Sequence, residues 1–281
     1  PNSVAPTPQF RINHCHNPTR HRPNPTHHPS SAAIINTTDQ APRHTGTYSD
    51  AMAISGAGPD FFSRLLGRKG QMVESDSALP GRSEYPFTIP TDHAVLGTPL
   101  RSTPETPWPG DVEVMYLGMG CFWGAEEIFW RLPGVFTTAA GYQGGYTPHP
   151  TYEEVCTGRT GHTEAVMVAY HPEQISTETV LRHFWEQHDP TQGYRQGNDT
   201  GTQYRSTLYY TTAAQLDLIE RSVSAYAPAL ANRGYPEITT EIAPADDHHF
   251  YFAEGYHQQY LYKVPNGYRC HSSTGLALPA F

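Results

Sequence analysis

Between residues 112 and 211 the hydrophobic period switches back and forth between two and about 3.6, and the order of those switches leaves few folds open. "VEVMYLG" alternates and is rich in β formers, so 112–117 reads as a strand. "CFWGAEEIFWRL" follows at once, with Phe122, Trp123, Ile128, Phe129 and Leu132 at roughly helical spacing. Glu126, Glu127 and Arg131 take its other face, and Pro133-Gly134 stops it. Strands are expected at 135–142 and 164–170. A helix is expected at 177–188, with Thr177 as N-cap and Val180, Leu181, Phe184 and Trp185 on one face. A fourth strand follows at 206–211. The succession is β-α-β-β-α-β, the split ferredoxin-like arrangement of an α+β domain. Long glycine-rich loops, 143–162 and 189–205, join its parts. A helix at 213–227, a strand at 237–243, a helix in "AEGYHQQYLYK" and a mobile, glycine-containing coil complete the expected order.

The chain upstream differs. Residues 1–50 are rich in Pro, Ser, Thr, Asn and His, carry only Asp39 and Asp50 as acids, and keep no period. That composition reads as a disordered extension. Its Arg and hydroxyl content also fits an organellar targeting peptide, and Met52 offers an alternative start. Residues 51–110 read as an irregular arm. In it "FFSRLLG" suits a short amphipathic helix, and "ALPGRSEYPFTIP" and "STPETPWPG" suit extended chain wrapped over a core. The catalytic domain is expected at 111–281.

Charge and cysteine usage exclude several classes. A formal net charge of −9 argues against non-specific binding to nucleic acid or to a membrane surface. No apolar run approaches the length of a membrane span. No apolar signal-peptide core is visible at the N-terminus, so a cytoplasmic location is expected, and a monomer is expected separately. The four cysteines, at 15, 121, 156 and 270, form no CxxC pair and suit neither a zinc ribbon nor a disulfide scaffold. His14-Cys15-His16 lacks a second ligand pair at usable spacing, so no metal is expected.

Cys121 is different from the other three. It stands where strand 112–117 turns into a helix through "GMGC". Orphan N–H groups and the positive end of the helix dipole favour a thiolate there. The flanking glycines remove side chains that would block an approach. A small buried hydrophobe is the bland alternative for a free cysteine.

"GCFWG" resembles the nucleophile motif of the A-type peptide methionine sulfoxide reductases. The resemblance continues through "GYQGGYTPHPTYEEVCTGRTGHTEAV", "FWEQHDPTQGYRQGNDTGTQYRS", "ITTEIA" and "YHQQYLYKVPNGY", and covers roughly residues 79 to 279. It implies reduction of the S epimer of methionine sulfoxide, in proteins and free, without a bound cofactor. Thioredoxin or another dithiol is the implied external reductant. Such a site needs a nucleophile, proton donors on the sulfoxide oxygen and an apolar wall for the methyl group. By resemblance Cys121 is the nucleophile, and Phe122 and Trp123 form the methyl pocket. Glu164 in "GHTEAV" is the carboxyl that protonates the oxygen, its pKa raised beside aromatics. Tyr152 and Tyr204 aim hydroxyls at the same oxygen, and Asp199 holds the pocket and the substrate backbone. Cys270 is the implied resolving thiol.

Two departures concern that thiol. Many members of the family read Tyr-Cys-Gly, whereas this chain has Tyr268-Arg269-Cys270-His271. Many also carry a third cysteine where this chain has Ala277. A two-cysteine cycle is therefore expected, with Arg269 or His271 available to help ionise Cys270, and with Cys156 structural. A thiol peroxidase or a cysteine hydrolase using His162 or His188 is the rival enzyme. A metal-binding module built on the N-terminal histidines is the rival from another class.

Overall fold

The central strand of the sheet, β1 (Glu113–Met119), runs straight into the helix that follows it, α1 (Phe122–Trp130). The computed structural model describes residues 70–270 and 272–281. The extension over 1–50, the helix suggested at 61–67, and His271 lie outside the described residues. After α1 come β2 (Val135–Gln143), α2 (Tyr152–Cys156), β3 (Thr163–Tyr170), α3 (Thr177–Glu186), β4 (Arg195–Gln196) and β5 (Asp199–Thr200). Then follow β6 (Ser206–Tyr210), α4 (Ala213–Ala231), β7 (Glu241–Pro244), β8 (Tyr251–Phe252) and α5 (Tyr260–Lys263).

The main sheet has the order β7-β6-β1-β3-β2-β8. Its inner four strands pair antiparallel as the β-α-β-β-α-β succession requires: β6 on β1, β1 on β3, and β3 on β2. β8 extends it antiparallel on β2, and β7 joins β6 in parallel. The ribbon β4–β5 stands apart as a second, two-stranded sheet.

Every residue of β3 is buried, because both faces of the sheet are covered. On one face Ala139, Ala165, Met167 and Phe250 pack with Ile89 and Leu100 of the irregular arm, with Tyr85, Phe87 and Trp108 against them. The alternation of a strand sends Glu164, Val166 and Val168 to the opposite face.

The boundaries differ from the expected ones for local reasons. Ser176, not Thr177, caps α3, accepting the Thr179 N–H at 3.2 Å. Thr177 is buried, and its hydroxyl meets that of Tyr170 at 2.8 Å. α4 continues through Pro228 because its buried face, Ile219, Ser222, Tyr226 and Leu230, keeps helical spacing past the proline. β7 starts only at Glu241. Upstream, the Thr239 N–H is held by the Pro190 carbonyl at 2.8 Å rather than by a strand. In "AEGYHQQYLYK" only Tyr260–Lys263 is α-helical. Gln258 spends its amide on Ala140, and Gln259 adopts a left-handed backbone to bond α1, which draws the chain out of helix.

Candidate active site

Gly120 has φ of 85° and lets β1 turn into α1. A Cβ on it would stand 2.6 Å from Gln196, and one on Gly118 would stand 2.4 Å from the Thr207 hydroxyl. These two glycines therefore admit the protein's own β4 and β6. They do not clear an approach for a reactant. The glycine with an open face is Gly124, where an added Cβ would meet only the Cys270 carbonyl, at 4.0 Å.

Cys121 is the N-cap of α1 and is buried. The Trp123 amide reaches its sulfur and favours the thiolate, as a helix start should. Burial outweighs that contribution, and the charge of Glu164 adds to it, so the thiol's pKa is raised well above its usual value. The helix start thus acts in the expected direction, and burial and Glu164 act against it.

Glu164 enters from the start of β3, opposite Tyr142 of β2. It is 1 % exposed, and its Oε2 accepts the Phe122 N–H, the first amide of α1, at 3.1 Å. Burial pushes its pKa well above the carboxylate range, against the lowering effect of that N–H; the charge of Asp199 pushes the same way as burial. A carboxyl in this setting keeps its proton to higher pH than a solvated one, which suits a proton donor.

The aromatic wall is built from several elements. Phe122 and Trp123 lie buried on the first turn of α1. Trp123 stacks on Tyr260 with ring centroids 4.0 Å apart and donates its indole N–H to His257 Nδ1 at 2.9 Å. Tyr152 is the first residue of α2, a short helix held by a capping box between Thr151 and Glu154. Its ring lies 4.5 Å from that of His257. Tyr204 comes from a 3-10 turn, Thr202–Tyr204, and is 2 % exposed. Its ionisation is opposed first by burial and then by the charges of Glu164, Tyr152, Cys121 and Asp199. One phenol thus feels four of the residues singled out from the sequence.

Asp199, at the start of β5, accepts the Tyr268 hydroxyl at 3.0 Å. Next in the tail, Cys270 Sγ donates to the Gln196 carbonyl at 3.3 Å. Burial, then Asp199, push its pKa up to about 12. Arg269, a candidate for helping that ionisation, is engaged elsewhere. Its guanidinium is turned away to Glu127, with Nε on Oε2 at 2.7 Å. Cys121 and Cys270 are the free thiols among the described residues, and both line one cavity of about 260 Å³. Among the described residues, no group of three or more His, Cys, Asp or Glu could hold a metal ion. Among them also, no helix is long and apolar enough to cross a membrane.

The peptide methionine sulfoxide reductase family model matches residues 113–280. The chain belongs to that family. Within it the match is to the A type. The chain is 54% identical over 218 residues to peptide methionine sulfoxide reductase MsrA 1 of Synechocystis sp., spanning 78% of this chain and 95% of that protein. It is 52% identical over 218 residues to MsrA of Pseudomonas aeruginosa, spanning 78% and 98%. Methionine sulfoxide reductase A of Corynebacterium diphtheriae superposes with a TM-score of 0.64 at 47% identity, over 75% of this chain and all of that one. The chain is thus an oxidoreductase of the methionine sulfoxide reductase family.

Two residues behind the wall of this reductase site carry no mark in the sequence. His257 is fully buried in a cage of Phe122, Trp123, Tyr152 and Tyr256, and burial lowers its pKa to about 3. It is a neutral acceptor for the Trp123 indole. Glu254 ties the wall to the sheet, accepting the Tyr142 hydroxyl and the Tyr152 N–H, both at 2.8 Å. Nothing in residue type or spacing marks these two, because their role arises only from the folded contact. His162 and His188 serve the backbone. His162 Nδ1 accepts the Gly145 N–H at 3.0 Å, and His188 Nδ1 lies 2.6 Å from the Phe184 carbonyl. Neither provides the base of a cysteine hydrolase.

Proposed function

We propose that this chain reduces the S epimer of methionine sulfoxide, in proteins and as the free amino acid, with Cys121 as nucleophile and Cys270 as resolving thiol. The observation that carries the reading is the buried Glu164, its pKa raised by that burial, held on the first amide of the helix that Cys121 caps. A sulfoxide oxygen is a poor leaving group until it is protonated, so a buried acid beside a thiol suits this substrate.

In the proposed step the Cys121 sulfur attacks the sulfoxide sulfur. Glu164 delivers a proton to the oxygen, and Tyr152 and Tyr204 hold that oxygen with their hydroxyls. The methyl group rests against Phe122 and Trp123, while Asp199 holds the pocket and the substrate backbone. The raised thiol pKa fits this order, because the thiol's proton is released only as the oxygen takes one up. The balance is a thiol plus a sulfoxide giving a sulfenic acid plus methionine. Cys270 then condenses with the sulfenic acid, releasing water, and a thioredoxin dithiol reduces the resulting disulfide.

One equivalent of methionine S-sulfoxide, added without reductant, is expected to release one methionine and leave a Cys121–Cys270 disulfide by mass spectrometry. A bond that includes Cys156 instead would remove Cys270 from its role. The R epimer is expected to leave both thiols free.

A further inference from the structure

Three consecutive tail residues dock in two directions: Tyr268 and Cys270 share Asp199, and Arg269 goes elsewhere. Tyr268 reaches Asp199 and Cys270 reaches the Gln196 carbonyl, one on either side of Arg269. Arg269 turns the other way and forks onto Glu127, with Nε on Oε2 at 2.7 Å and Nη2 on Oε1 at 3.0 Å. Its Nη1 also donates to the Pro265 carbonyl at 2.9 Å, which ties the same guanidinium to the approach of the tail. Glu127 is on α1, the helix that Cys121 caps, and it is steadied by Arg131 at 2.7 Å. Cys121, Gly124, Glu127, Arg269 and Cys270 line one cavity. The bare Gly124 lets the Cys270 backbone lie close against the helix.

A paired guanidinium and carboxylate fix both distance and orientation, which a single point charge does not. The fork is also partly shielded, the Glu127 side chain being 13% exposed and that of Arg269 28%. We propose that Arg269 is a positioning residue for the resolving step: its fork on Glu127 holds Cys270 against α1, over the cavity into which Cys121 opens. The role rests on the two-thiol cycle proposed above. In that step the Cys121 sulfenic sulfur loses its hydroxyl, the Cys270 thiol loses its proton, a sulfur–sulfur bond forms and water leaves. The sulfenic sulfur is reduced and the Cys270 sulfur oxidised, so no outside reagent is needed. Holding the two sulfurs together raises the effective concentration of the second thiol. Arg269 is also the residue that separates Tyr268 from Cys270, and the fork gives that extra residue a task.

The test is a single turnover of the full chain with one equivalent of methionine S-sulfoxide and no reductant. Methionine release is followed together with disulfide closure, and a cyclic dione traps the sulfenic acid. Arg269→Gln and Glu127→Gln are each expected to release methionine at the wild-type rate. Both should then close the disulfide roughly tenfold more slowly, with sulfenic acid accumulating, as expected when an anchoring charge-assisted pair is lost. Arg269→Lys is expected to recover part of the closure rate, and added salt should slow closure in the wild type but not in Arg269→Gln. Unchanged closure in both Gln variants overturns the role of Arg269 alone. Equal slowing of methionine release also overturns it, since the pair would then support the whole site. A wild-type chain that never forms the Cys121–Cys270 bond overturns both this role and the cycle on which it rests.

Discussion

Glu164 is the residue on which the proposed chemistry turns, and its burial predicts a pH dependence with a definite sign. The acid works only while protonated, and its pKa lies well above the usual carboxylate value. Methionine release should therefore persist to higher pH than an ordinary carboxyl would allow and fall as pH rises through that raised pKa. Glu164→Gln keeps the volume and a hydrogen-bond donor but has no proton to give. Release is expected to slow on the order of 10²-fold or more, the usual contribution of a positioned acid, measured by rapid quench near pH 7. A wild-type rate in that variant would remove Glu164 as the acid. His257 is the neighbouring case. His257→Phe keeps a ring in the cage but leaves the buried Trp123 indole N–H without its acceptor. That should cost about 1–3 kcal/mol in urea unfolding and raise KM more than it lowers kcat, because the loosened group is a wall and not a proton donor. The two residues also differ in legibility. Glu164 shows as a charged residue opening an apolar strand run. His257 shows in no pattern, because its partners come from α1, α2 and the turn before α5.

At the scale of elements, α1 is fixed by a buried carboxyl that takes no part in the proposed reaction. Glu126 is wholly buried and accepts the backbone N–H of Gln259 at 2.8 Å and its side-chain amide at 2.7 Å. The Thr138 hydroxyl of β2 adds a third bond at 3.1 Å. Burial raises its pKa to about 7, since the hydrogen bonds only partly offset the loss of solvation. Between pH 4.5 and 7 the unfolded chain gives up this proton and the folded chain keeps it. Stability must then fall as pH rises across that window, by about 3 kcal/mol from this group alone. Glu126→Gln is expected to be less stable at pH 5 but to lose this slope, which urea titrations at pH 5 and pH 8 would measure. An unchanged slope would mean that Glu126 is ionised when folded. From the sequence Glu126 belongs to the polar face of its helix, because helical spacing cannot tell that α5 and its preceding turn will cover it. The order of the long elements was legible, since β1, β2, β3, β6, α1, α3 and α4 carry enough apolar repeats to declare a period. β4, β5 and β8 are two residues each and cannot. α2 did leave a signal, Thr151-x-x-Glu154, the capping-box pattern, inside a stretch that its glycines mark as loop.

Taken whole, the described molecule separates its work across the two faces of one sheet. Strand alternation gives Glu164 to the face that carries α1, and gives Ala165 and Met167 to the face beneath the arm. The described part of the arm, residues 70–110, has almost no regular structure, yet Leu100 is fully buried and Ile89 nearly so. Its role follows from geometry, because a sheet with helices on one side must cover the apolar residues of the other. The arm is also held by polar ties, including Thr98 Oγ1 to the Phe136 carbonyl at 2.7 Å and Arg82 to Glu154, which anchors the capping box of α2. Leu100→Ala should therefore remove packing from the far face and leave the reacting groups in place. It is expected to cost about 2–5 kcal/mol, the range for a fully buried leucine, as a lower midpoint in urea. At a temperature where the variant is still folded, single-turnover methionine release should match the wild type. The informative result is the pair of measurements together. If release falls in step with stability, the sheet is transmitting the loss at Leu100 to Glu164 through β3, and the two faces are mechanically coupled. If release holds, the arm serves as a cover whose energy supports the fold, and the chemistry depends only on the face that presents Cys121.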